Sequence, residues 1–433
     1  MTSLAEQLRP VSHGAEREPD TLAQLRQAAW QRVAADGLPA DKDENWKYSR
    51  LQPLEEPKFD FNPPLAEFDP ALVDQALAGI PHAQRWVFID GRLRPELSAP
   101  GVVLEGVEAG PLADYPDREV LLDRLAPLDG GRDAGFANLA NAGYSDGFLL
   151  QINPVYKSKS PLVLVHINSA GCGAHWRAVV NLAKGVQLDI VEVLINEGDS
   201  PSFTNHLLDI SNGPDSRLSW TRLQQLNNQG RMISRAQISQ LQNSRFDYLG
   251  LDLGGRWVRH DVNVGLAEPG AATSVNGVFL LDGQRHVDNH SRIDHLAPDC
   301  RSQEHFKGIA GDSSRGVFNG KLVVHPGADG TDAAQTSANI LLSDTAEIDT
   351  KPELEIYADD VVASHGATVG QLDELALFYL QSRGIGQADA RHILIQAFCQ
   401  EVVDKSGPVD LREALTERLG RALPGGEQID AAR

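Results

Sequence analysis

The chain has 433 residues and a formal net charge of −21, with 39 basic against 60 acidic side chains. Nucleic-acid affinity comes mainly from basic groups that neutralise phosphates, so this surplus excludes an ordinary duplex binder and disfavours docking on anionic membranes. A composition of 41% hydrophobic and 23% charged residues is that of a folded globular chain, and its length allows two or three domains.

No apolar run approaches the roughly 20 residues that a membrane span requires. The opening MTSLAEQLRPVSHGAEREPD contains no apolar stretch of the signal-peptide kind, so a cytoplasmic location is expected. The three cysteines, Cys172, Cys300 and Cys399, are odd in number and form no CxxC pair, which argues against a disulfide framework.

In chain order, TLAQLRQAAWQRVAAD places Leu22, Leu25, Ala29, Trp30 and Val33 at helical spacing, so a helix is predicted over Thr21 to Asp36 before Gly37 and Pro39 end it. The proline- and aromatic-rich DENWKYSRLQPLEEPKFDFNPPLAEFDP reads as an ordered loop packed on something larger. Its Trp46, Lys47 and Tyr48 are expected to act as a structural latch, because Trp and Tyr bury large areas with one polar handle. A short helix is predicted over Asp69 to Leu77.

From about Arg85 to Val369 short β-prone runs recur between Gly, Asn, Asp and Ser punctuation, among them PLVLVHI, VQLDIVEVLI, RMISRAQISQL and ELEIYADDVV. No amphipathic helix of convincing length is evident among them, which excludes a doubly wound α/β fold and leaves a sandwich, barrel, propeller or β-solenoid. A solenoid is favoured, because rungs of short strands tolerate irregular sequence provided each stacks on its neighbours.

Helical texture returns near Gln371. QLDELALFYLQSRG puts Leu372, Leu375, Ala376 and Tyr379 on one face, with Gly384 just past its end. ADARHILIQAFCQEVV carries Leu394, Ala397, Phe398 and Glu401 at successive helical steps, and GPVDLREALTERLGRAL carries Leu411, Leu415, Leu419 and Ala422. Three short helices make a thin core, so this module is expected to lean on a larger body or a partner.

The sequence contains no GxxxxGK[ST], HExxH or GxSxG, and GCGAHW lacks the third glycine and following helix of a dinucleotide site. The densest reactive group is HVDNHSRIDHLAPDCRSQEHFKG, with His286, His290, His295, His305, Asp288, Asp294 and Cys300. His286 and His290 share a side on either a helix or a strand and could ligate a metal; the preferred reading is a polar ladder on solenoid rungs. His365, flanked by Ser364 and Gly366 where strands give way to helices, has steric access to a ligand or partner chain, and neutral imidazole suits iron or zinc. A histidine bonded to turn backbone is the other reading, and the residues alone leave both open.

The stretch from NGKLVVHPGADGTDAAQTSANILLSD through KPELEIYADDVVASHGATVGQLDELALFYLQSRGI to AFCQEVV resembles the SufB/SufD family of Suf iron–sulfur cluster assembly proteins. HVDNHSRIDHLAP, SQEHFKGIAGDSSRGVFNG and DENWKYS extend the similarity, which covers most of the chain and is firmest from Gly283 to Val403. SHGATVGQLDE at the junction is similar to the SufD branch rather than to SufB. Ala363 stands where many relatives have a cysteine, and Gly330 where a lysine is common.

The resemblance implies a right-handed parallel β-helix core at 85–369, between an N-terminal helical region at 1–84 and a C-terminal helical domain at 370–433. It implies a non-catalytic scaffold that pairs with SufB through the β-helix and docks the ATPase SufC on the C-terminal helices. It nominates His365 as the contribution of this subunit to a transient iron–sulfur cluster site, and as its metal-binding residue. Three cysteines cannot complete a four-thiolate set within one copy, so the other ligands are expected from SufB. Cys172, Cys300 and Cys399 are given packing roles, Cys399 on a helix facing the SufC module. Two rival functions are a β-helix enzyme acting on polysaccharide, disfavoured by the acidic charge, and a metal-dependent enzyme using the His286 to His305 group.

Overall fold

The computed structural model describes residues 3–9, 19–64, 68–98, 104–115 and 119–423. Parts of the expected domains, including 1–2, 10–18 and 424–433, lie outside the described residues.

Helices α1 (Leu4–Gln7), α2 (Asp20–Asp36), α3 (Gln52–Glu55) and α4 (Pro70–Ala76) lead into β1 (Gln84–Ile89), β2 (Arg92–Leu93) and β3 (Val107–Gly110). Asp69 caps α4 by accepting from the Ala71 amide, and Pro70 supplies the preset first-turn geometry. After α5 (Glu119–Leu125) and α6 (Gly135–Gly143) the chain winds through β4 (Phe148–Ile152), β5 (Leu162–Asn168), β6 (Gly173–Leu182), β7 (Gln187–Asn196) and β8 (Ser202–Asn212). It continues as β9 (Arg217–Gln224), β10 (Gly230–Gln240), β11 (Arg245–Asp252), β12 (Trp257–Leu266), β13 (Ala272–Leu281) and β14 (His286–His295). The last strands are β15 (Arg301–Ala310), β16 (Arg315–Val324), β17 (Thr331–Leu341), β18 (Glu347–Ile356) and β19 (Val361–Gly370), before α7 (Glu374–Ser382), α8 (Gln387–Ser406) and α9 (Arg412–Ala422).

From β4 onward alternate strands fall into two sheets, ordered β19-β17-β15-β13-β11-β9-β7-β5-β1-β2 and β18-β16-β14-β12-β10-β8-β6-β4-β3. Successive neighbours are parallel and the chain makes about eight turns, which is the expected parallel β-solenoid. Antiparallel pairing occurs only at the N-terminal end among the described strands, between β1 and β2 and between β3 and β4. The space between the sheets is filled by alternate side chains such as Trp220, Phe246, Val262, Ile293 and Phe306.

Three of the corners turn on a recurring triplet. Asp215, Asn243 and Asp299 each adopt positive φ, between 54° and 58°, a conformation that Asp and Asn tolerate better than other side chains. The residue after each is small and buried: the Ser216 and Ser244 hydroxyls donate to the Gly213 and Leu241 carbonyls, and the Cys300 thiol to Pro298. An arginine, Arg217, Arg245 or Arg301, then opens the next strand.

Two helices depart from the sequence expectation, for α5 and α6 interrupt the β-prone region. The GFANLANAG of α6 is buried on almost every side, Asn138 and Asn141 included, so it carries no charged face to mark it as a surface helix. Asn138 is satisfied inside the protein, bonding both the amide and the carbonyl of Leu128.

The WKY segment is the latch its composition suggested. Trp46 is buried, stacks on Phe136 at 5.4 Å, donates to Asp133 and lies 4.0 Å beneath the Arg259 guanidinium.

At the other end, Ile395, Cys399, Val402 and Val403 of α8 and Leu415 and Leu419 of α9 cover the outer face of one sheet at Val193, Leu251, Val278 and Ile309. The stripe expected at Leu394 and Ala397 is therefore offset by one position: apolar residues surround this helix, and contact with the sheet selects which of them face inward. The Lys307 ammonium donates to the Phe398 carbonyl at 2.8 Å and pairs with Glu401, fixing that choice.

Candidate functional site

His365 sits at the middle of β19, the last strand of its sheet. On one side β19 pairs with β17, with His365 in register with Gln335. On the other side no described strand follows, and the residues from Ser364 to Gly370 are exposed. Strand alternation puts His365 on the same face as Ala363, which packs against the interior cluster. His365 thus stands at the open mouth of the solenoid's interior.

Beneath it runs a polar column. Gln335 is in register with Glu304, and its amide donates to Glu304 Oε2 at 2.6 Å, with both side chains buried. Gly320 makes room for that amide, since a Cβ there would lie 1.7 Å from Gln335 Nε2. Burial pushes the Glu304 carboxyl up to about 7, because the neighbours that oppose the shift, Ser291 and Gln335, are neutral.

None of the cysteines offers a ready thiolate. All three are buried, and burial pushes the Cys172 and Cys399 thiols up to about 12 and raises Cys300 as well. Cys399 turns toward the β-helix rather than away from it. At the mouth the donor that this chain presents is the His365 imidazole.

The histidine-rich β14 is held by protein partners. His286 Nε2 lies 2.8 Å from the Ser49 hydroxyl, His290 Nε2 lies 2.9 Å from Asp288, and Arg259 bonds Asp288 at 2.7 Å. Burial favours protonation of Asp288, yet His290 and Arg259 together hold it well below the usual carboxylate range. His295 is buried between Ser302 and Thr331, at 2.8 and 3.3 Å, and His305 meets Thr336 at 2.7 Å. The strand acts as a polar ladder that fastens the N-terminal WKYS segment to the solenoid.

Sequence reasoning passed over a second polar group inside the solenoid, His166 of β5, Glu192 of β7 and His206 of β8. One ligand atom from each lies within 4.8 Å of the others. Their sequence signal is a single titratable residue in line with the inward-facing apolar positions of its strand.

Helix α7 buries none of its side chains, leaving Leu375 80% exposed, Phe378 69% and Tyr379 57%. Its expected apolar face is real but uncovered.

Residues 165–398, just over half of the chain, match the family model described as SUF system FeS cluster assembly, SufBD core domain. The chain belongs to the SufBD family. Over 96% of its length and 95% of the relative, it is 31% identical to the iron-sulfur cluster assembly protein SufD of Escherichia coli (strain K12). A SufBD family protein of Synechocystis sp. is 30% identical across 90% of this chain and 88% of its own. Protein ABCI7 of Arabidopsis thaliana, described as chloroplastic, is 28% identical over 76% and 71%. Within the SufBD family this chain is SufD-like, and among its described helices none is long and apolar enough to cross a membrane.

Proposed function

We propose that this SufD-like chain is a non-catalytic scaffold subunit, divided as 1–84, 85–369 and 370–433, which presents His365 to a transient iron–sulfur cluster shared with a SufB-type partner. The cluster is cargo in this reading. The observation that carries the proposal is the exposed imidazole at the open mouth of the solenoid, on a strand whose outer edge is free to receive a partner strand. Apolar side chains flank that edge, with Val362 68% and Tyr357 59% exposed. A SufC-type ATPase docks on the uncovered apolar face of α7, and the complex works in the cytoplasm.

His365→Ala is expected to leave the partners bound, as judged by affinity purification of the tagged chain and mass spectrometry of what accompanies it. Cluster assembled on the purified complex, read from its visible absorption and labile sulfide, is expected to fall at least tenfold. Wild-type cluster on an intact mutant complex would remove His365 from the site. Recovery of the tagged chain without a SufB-type chain or an ATPase would reject the scaffold reading itself.

A further inference from the structure

We propose that His166, Glu192 and His206 form a second metal site, holding one divalent transition-metal ion of the zinc or iron(II) type inside the solenoid, separate from the cluster site.

The atoms His166 Nε2 and His206 Nδ1 each lie 3.6 Å from Glu192 Oε1. That is too long for a hydrogen bond, for which N···O runs to about 3.2 Å. It suits two atoms sharing an ion, since tetrahedral ligands about 2.1 Å from zinc sit roughly 3.4 Å apart. All three atoms are buried and none has a hydrogen-bond partner. A buried polar atom left without a partner is destabilising, and three that converge on one point have a common remedy in a ligand placed there.

The surrounding groups hold the donors in place. Glu192 Oε2 accepts from Arg222 Nε at 2.8 Å and from Trp220 Nε1 at 3.0 Å, which turns Oε1 toward the histidines. The His166 ring stacks on Phe88 at 5.1 Å and meets Trp176 edge-on at 4.4 Å, and the His206 ring lies 4.9 Å from Trp176. Two neutral imidazoles and one carboxylate are a donor set for zinc or iron(II) rather than for magnesium or calcium, which prefer oxygen. The side chains of His166, Glu192 and His206 are 5%, 0% and 3% exposed, so the ion enters as the chain folds and stays while it is folded. In their shared sheet β7 and β19 are six strand spacings apart, about 29 Å, so no ion or cluster can bridge the two sites.

The test is metal analysis of the full-length chain, expressed with zinc and iron supplied and passed over a sizing column in chelator. About one equivalent of one metal without labile sulfide is expected, falling at least fivefold in His166→Ala and in His206→Ala and unchanged in His365→Ala. Because the alanine variants could fail to fold, X-ray absorption of the wild-type protein gives an independent reading. A shell of nitrogen and oxygen with imidazole scattering supports the site, and a sulfur-containing shell overturns it. Wild-type protein with under 0.1 equivalent of metal, and no gain in thermal midpoint on refolding with zinc or iron(II), would mean that water alone satisfies these atoms. Loss of the metal in His365→Ala would equally overturn a separate site.

Discussion

Glu304 shows how much a single buried carboxyl can weigh. Its folded-state value of about 7 stands above the ordinary 4.5, so between those pH values the native chain holds a proton that the unfolded chain has released. The stability associated with that proton is fully present below about pH 4.5 and is lost as pH rises through 7. Glu304→Gln keeps the shape without the titration. Relative to wild type, the variant is expected to gain about 3 kcal/mol between pH 4 and pH 8.5, read from urea midpoints. Parallel profiles for the two proteins would mean that Glu304 ionises in the fold as it does in water. At this scale the sequence was partly legible. His365 stood out because small residues flank it at a change of texture, whereas His166, Glu192 and His206 lie in three separate strands and meet only when those strands stack.

Among the elements, α7 differs from its neighbours. Helices α8 and α9 spend their apolar faces on the solenoid, whereas α7 holds Leu375 and Phe378 out to solvent. The double variant Leu375→Asp, Phe378→Asp is expected to weaken ATPase binding at least tenfold in a pull-down, with a thermal midpoint within a few degrees of wild type, because no buried contact is touched. Undiminished binding would move the docking surface elsewhere. Helices α2, α7, α8 and α9 were legible from their periodicity, whereas the four-residue α1 and α3 are too short to show one. Helix α6 was not, being buried on all sides, and neither was the rung repeat. Ile190, Trp220 and Tyr248 are register partners 30 and 28 residues apart, yet what repeats in sequence is the corner triplet at Asp215, Asn243 and Asp299, because the interior asks for volume rather than identity.

Across the whole molecule, buried neutral histidines join the N-terminal segments to the solenoid. His175 bonds the Leu8 carbonyl and His286 the Ser49 hydroxyl, and burial lowers both to about 4. Their contribution is present above the ordinary 6.5 and is lost as pH falls through 4, since the unfolded state takes up protons first. Hydrogen exchange of residues 4–8 and 44–51 is therefore expected to accelerate between pH 7 and pH 4.5, after correction for intrinsic rates, while β9 to β13 stay protected. Equal protection of these segments at both pH values would show that other contacts hold them. The two ends of the solenoid also differ in kind. Short antiparallel strands, β2 and β3, close one end, and at the other β18 and β19 have no further partner among the described strands, which leaves an open edge on both sheets. A body with one blunt end and one live end can be extended only once. Mating two such live ends consumes both, so assembly through them stops at a pair and cannot run on into a filament, whatever the concentration.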